Sequence, residues 1–174
     1  MNMYSPVRVG IAGATGYAGV ELLRRLARHP AADVRLAMGS GASEGRRVPA
    51  LARIWDEPLA SFDVDRLAAE SDAVFLAVPD TLAAETAPAL AQRGARVFDL
   101  SGAFRLRDEQ TRQRWYPHSP PVDLEVVYGL TERNRAALPA ARLIACPGCY
   151  PTAALLALEP LTLAGLVEPG IVID

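Results

Sequence analysis

The chain has 174 residues, of which 51% are apolar and 22% charged, and a net charge of -2; this is the composition of one folded domain, not of a disordered segment. The 18 basic residues are scattered, so no electrostatic footprint for nucleic acid is present. No window reaches the roughly 18 apolar residues of a membrane span, residues 1–6 do not read as a signal peptide, and two cysteines are too few for a disulfide framework. A cytoplasmic protein without nucleic-acid or membrane partners is expected.

In chain order, strand-like and helix-like segments alternate, which predicts an α/β fold on a parallel sheet. Residues 7–12 read as the first strand. Residues 17–28 read as a helix, with Val20, Leu22, Leu23, Leu26 and Ala27 gathered on one face. A second strand is expected over 34–38, and a strand buried on both faces over the apolar run 73–78. Residues 82–93 read as a helix that Pro88 kinks. Strands follow at 97–100 and 143–145, and a helix at 152–158. The stretches 39–58 and 101–121 read as loops. Residues 170–174 read as a strand after a turn at 168–170, either a natural edge or one whose next connection is unmade.

Gly13-Ala14-Thr15-Gly16-Tyr17-Ala18-Gly19 lies between the first strand and the first helix. Glycines there permit a tight turn and let a pyrophosphate approach the backbone, while the helix start supplies free N–H groups. The spacing is G-x-x-G-x-x-G, not the common dinucleotide motif, so a structural turn is the alternative; the strand-turn-helix setting favours dinucleotide binding. The second strand ends in Met38-Gly39-Ser40 without the acid that would bind a ribose 2′-OH. Ser40, Ser43, Arg46 and Arg47 follow, and hydroxyls with guanidinium groups suit a 2′-phosphate. NADP is therefore expected over NAD, with the contacting arginine open.

Cys146-Pro147-Gly148-Cys149 precedes the last helix, which places Cys149 at a helix N-terminus, where the dipole favours a thiolate nucleophile. A buried inert cysteine or a C-x-x-C redox pair are the alternatives. Zinc is not expected, because no second cysteine pair exists and His29 and His118 stand apart in sequence.

Several ordered motifs carry a resemblance. Gly13 to Gly19 with Val20-Glu21-Leu22-Leu23, then Phe98-Asp99-Leu100-Ser101-Gly102-Ala103-Phe104-Arg105-Leu106, Trp115-Tyr116, His118, Val127-Tyr128-Gly129-Leu130-Thr131-Glu132 and Pro147-Gly148-Cys149-Tyr150-Pro151-Thr152 together resemble the N-acetyl-gamma-glutamyl-phosphate reductases of arginine biosynthesis. The resemblance covers essentially the whole chain. It implies a doubly wound, Rossmann-type parallel sheet binding NADP over 1–148, and the truncated start of a second α/β catalytic and dimerisation domain over 149–174. It implies NADPH-dependent reduction of N-acetyl-glutamyl 5-phosphate to the semialdehyde through a thioacyl intermediate on Cys149. Arg105, with Ser101, is expected to hold the substrate phosphate; a structural ion pair is the other reading of Arg105. The resemblance also implies a homo-oligomer at full length.

The chain departs from the family at Cys146, where an asparagine is usual; a disulfide between Cys146 and Cys149 that protects the nucleophile is an expectation. It also ends before the family's catalytic histidine, so the 174-residue chain alone is expected to turn over slowly or not at all. His118 does not match that histidine, and His29 reads as a helix C-cap. Rival expectations are an aminoadipyl-phosphate reductase of lysine biosynthesis, an aspartate-semialdehyde dehydrogenase, or a non-catalytic NADP-binding module.

Overall fold

A computed structural model describes residues 5–117, 124–168 and 170–173. His118, Pro121, Pro169 and Asp174, on which some of the expectations above fall, lie outside the described residues. Seven parallel strands form one sheet: β1 (Val7–Ala12), β2 (Ala32–Gly39), β3 (Ala60–Ser61), β4 (Ala73–Leu76), β5 (Arg96–Asp99), β6 (Val126–Tyr128) and β7 (Leu143–Ala145). Their order is β3-β2-β1-β4-β5-β7-β6. The helices are α1 (Tyr17–Leu26), α2 (Val64–Glu70), α3 (Asp80–Gln92), α4 (Glu109–Trp115), α5 (Thr131–Asn134) and α6 (Cys149–Leu163).

Side chains alternate between the two faces of each strand, and both faces are apolar. Leu36, Met38, Val74, Leu76, Val97 and Leu143 meet Leu67 of α2 and Ala83, Ala87 and Leu90 of α3. On the opposite face Val9, Ile11 and Ala37 meet Leu23 of α1 and Leu51. Helices therefore cover both faces, as the doubly wound expectation requires. Strand order reverses between β1 and β4, so their carboxyl ends open the crevice where such sheets bind ligands.

The structure adds elements inside the two stretches read as loops and beyond them. Two short 3-10 turns (Gly41–Ser43 and Pro49–Leu51) and α4 fall within those stretches, while β3, α2, β6 and α5 lie outside them. The expected helix 152–158 begins earlier and runs longer, as α6, because the chain turns directly from β7 into it. The helix read over 82–93 is α3, continuous through Pro88. Residues 171–173 are not a strand: Val172 and Ile173 are 89% and 66% exposed, with no neighbouring strand to pair. His29 closes α1 through its backbone amide, which donates to Leu26 O, while its ring Nδ1 accepts from Ala31 N; the ring itself is not the cap.

Candidate functional site

The glycine turn leaves β1 at the strand reversal. Gly13 adopts φ +82°, and a Cβ there would overlap the carbonyl oxygen of Ala77 after β4. The amides of Gly13 and Ala14 both donate to Met38 O at 2.9 Å, which locks the turn to the end of β2. A Cβ at Gly19 would overlap Gly13 O, so α1 starts pressed against the turn. Gly16 caps α1 without a side-chain bond, and the first turn of α1 carries no acid. The unpaired amides of that helix start are thus open to an anion. Thr15, Gly16 and Tyr17 line an open groove beside them, and Tyr17 is fully exposed. These features fit a dinucleotide pyrophosphate.

The end of β2 lies against the same turn. A Cβ on Gly39 would stand 2.9 Å from Ser43 Cβ and 3.3 Å from Thr15 Cγ2, so no larger residue fits there without displacement. Ser40 Oγ and Ser43 Oγ are 3.4 Å apart. Arg46 follows in the same loop, whereas Arg47 bonds Asp56 through both the carboxylate, at 3.0 Å, and the backbone oxygen.

The second part of the site lies two strands away, at the ends of β5 and β7. Asp99 ends β5 and is wholly buried; its carboxylate accepts from Ser101 N and Ser101 Oγ, both at 2.9 Å. Ser101 Oγ in turn accepts from Ala103 N. Burial pushes the Asp99 carboxyl above its ordinary range, opposed by the Ser101 bonds and by the Arg105 charge. The carbonyl of Asp99 accepts from Cys146 N at 2.8 Å, which fixes the cysteine segment to β5.

Arg105 spans the two segments. Its Nε donates to Cys146 O at 2.9 Å and one terminal nitrogen to Leu100 O at 2.8 Å. The other terminal nitrogen, Nη1, lies 3.1 Å from where a Gly148 Cβ would stand, beside the start of α6. The guanidinium is held by two neutral carbonyls and makes no ion pair among the described residues, and its charge acts on the nearby Asp99 carboxyl. Gly148 caps α6 with no side-chain bond, and Cys149, its first residue, is exposed. Cys146 instead packs against the buried cluster of Val127, Ala141 and Ile144, and burial pushes its thiol up to about 11. Both cysteines are free thiols, and a buried, protonated Cys146 is a poor partner for disulfide exchange. No cluster of potential metal ligands exists among the described residues.

Asp99 and Tyr116 are the structural members of this site to which the sequence assigned no role. The Tyr116 ring lies on Gly102, where any Cβ would overlap it, and so packs the loop carrying Arg105. The adjacency of glycine and ring has no signature in sequence, because 14 positions separate them.

A family model, the semialdehyde dehydrogenase NAD-binding domain, matches residues 8–141. The chain belongs to this family. Within its sequence relatives, this semialdehyde dehydrogenase-type chain is 50% identical to an N-acetyl-gamma-glutamyl-phosphate reductase of Halorhodospira halophila over 96% of its own length and 50% of the relative's. It is 42% identical to the reductase of the same name from Gloeobacter violaceus, over 99% of its length and 51% of the relative's. The chain thus spans about half the length of the curated relatives it matches. Among solved structures, aspartate semialdehyde dehydrogenase II from Vibrio cholerae superposes with a TM-score of 0.67 at 24% identity, over 92% of this chain and 47% of that one. The Candida albicans aspartate semialdehyde dehydrogenase with NADP gives 0.64 at 17% identity, over 94% and 48%. Both likenesses establish the fold of this family member.

Proposed function

We propose that this chain is the nucleotide-binding and nucleophile-bearing part of an NADPH-dependent N-acetyl-gamma-glutamyl-phosphate reductase of arginine biosynthesis. The observation that carries the reading is the pairing of Cys149, exposed at the start of α6, with an Arg105 guanidinium that is anchored but not neutralised. The names of the relatives, at 50% and 42% identity, supply the substrate class.

In this reading the Cys149 thiolate attacks the acyl carbon of N-acetyl-glutamyl 5-phosphate, the carbon–oxygen bond to phosphate breaks, and phosphate leaves. Arg105, with Ser101 shaping its loop, holds the phosphate and offsets its charge. Bound NADPH supplies the hydride that reduces the thioester carbon. The carbonyl then re-forms, the carbon–sulfur bond breaks, and Cys149 is released as thiolate with the semialdehyde. The turn of Gly13, Ala14, Thr15, Gly16, Tyr17 and Gly19 brings the pyrophosphate to the start of α1, and the loop carrying Ser40, Ser43, Arg46 and Arg47 receives the 2′-phosphate.

Residues 1–148 form the nucleotide domain in this scheme, and 149–174 begin the catalytic domain. In support, α6 buries none of its residues although its composition is apolar. Assembly into a homo-oligomer at full length and a cytoplasmic location belong to the same reading.

Incubating the chain with N-acetyl-glutamyl 5-phosphate and no cofactor tests the covalent step. A stoichiometric burst of phosphate with an acyl adduct on Cys149 by peptide mass spectrometry is expected, and Cys149→Ser loses both. A folded wild type that forms no adduct overturns the assignment.

A further inference from the structure

We infer that Arg46, and not Arg47, is the residue that selects a 2′-phosphorylated dinucleotide, and that Arg47 instead braces the loop presenting it. The inference rests on the dinucleotide reading above and divides two adjacent arginines that the sequence leaves equivalent.

Three observations carry it, the first of which separates the two arginines. First, Arg47 is committed: its guanidinium bonds both the carboxylate and the backbone oxygen of Asp56, across the loop. A cation already paired with a carboxylate has its charge offset and its donors directed elsewhere. Arg46 pairs with no carboxylate among the described residues and is exposed.

Second, the backbone of Arg46 is fixed beside the end of β2. Its amide donates to Ser43 O at 3.1 Å, and its carbonyl accepts from Leu59 N at 2.8 Å, next to Gly45, whose amide donates to Leu59 O at 2.9 Å. Leu59 leads directly into β3, which pairs with Met38 and Gly39. The Arg46 side chain therefore springs from a segment tied to the strand end, one turn from the facing hydroxyls of Ser40 and Ser43.

Third, the acid that would favour an unphosphorylated ribose has no room. A Cβ on Gly39 would press on Ser43 Cβ at 2.9 Å, so a carboxylate side chain is excluded from the last position of β2. Glu44, the acid within the loop, accepts from Ser61 Oγ at 2.7 Å and is thereby turned to β3.

The test is calorimetric binding of NADPH and of NADH to the chain, its Arg46→Ala variant and its Arg47→Ala variant, each checked for folding by circular dichroism. The wild type is expected to bind NADPH more tightly than NADH, and added salt to weaken NADPH selectively. Arg46→Ala should weaken NADPH about tenfold or more, the loss of one charge-assisted bond to phosphate, and leave NADH unchanged. Arg47→Ala should change both cofactors by the same factor, through loop order. If Arg47→Ala weakens NADPH selectively, or Arg46→Ala weakens both cofactors alike, the assignment is wrong. A folded wild type that prefers NADH, or binds neither, removes the 2′-phosphate reading itself, and the assignment falls with it.

Discussion

Asp99 is a carboxylate without solvent, held by one serine and adjacent to one guanidinium. Its folded-state pKa lies above the ordinary value because burial penalises the charged form. The folded protein therefore binds this proton more tightly than the unfolded chain does, and stability falls as pH rises from the ordinary carboxylate range through the raised value. Asp72 and Asp108 work in the opposite direction, since bonds from Arg8 and from Thr111 lower them. Comparing Asp99→Asn with wild type cancels those contributions. Urea midpoints across acid to neutral pH should show the variant gaining on wild type as pH rises; a constant or shrinking difference would show that Asp99 titrates as an ordinary carboxyl. Arg105 belongs to the same scale. In the proposed function its worth to an anion would come from being fixed by the carbonyls of Leu100 and Cys146, which orient the guanidinium.

At the scale of elements, the two strands that the sequence reading missed, β3 and β6, have two and three residues, and the helices it missed are short. Yet α2 and α4 carry a start signal: Asp63 accepts from Arg66 N and Asp108 from Thr111 N, each an acid capping the third helical amide. The α2 helix is only seven residues long, so its cap matters; it anchors Leu67 under the sheet. Replacing Asp63 with alanine should cost about 1 kcal/mol, read as a lower melting temperature with an unchanged native spectrum. No loss would mean that Leu67 burial alone holds α2. The α6 helix shows the converse. Its apolar composition predicts a buried helix, but Tyr150, Leu161 and Leu163 stand exposed.

For the whole molecule, the reversal of strand order sets the functional geometry. It brings the turn after β1 and the turn after β4 together, while β5 and β7 put Arg105 and Cys149 farther along the same edge. The glycine turn, Arg105 and Cys149 thus share the carboxyl edge of one sheet, the arrangement that the proposed hydride transfer would use. Leu156, Leu161 and Leu163 of α6 and Leu166 just after it are exposed. The chain in solution should accordingly enhance the fluorescence of an apolar dye, and Leu163→Glu with Leu166→Glu should reduce it without changing the circular dichroism. An unchanged signal would place the dye-binding surface elsewhere.

The sequence by itself determined the class of the fold, the first strand and the β7 strand to the residue, and the family, because apolar runs, glycine spacing and short motifs are local quantities. It put the glycine turn and Cys149 each between a strand and a helix for the same reason. Tertiary structure decided which groups are free to act. Arg46 and Arg47 are identical letters until Asp56 occupies one of them. Cys146 and Cys149 differ in exposure, because Cys146 packs against the cluster of Val127, Ala141 and Ile144, which forms only when β6 pairs with β7. Of the strand expected at 170–174, the described residues 170–173 form none, for the same physical reason: a strand is stable only through the hydrogen bonds of a neighbour, and no local pattern supplies one.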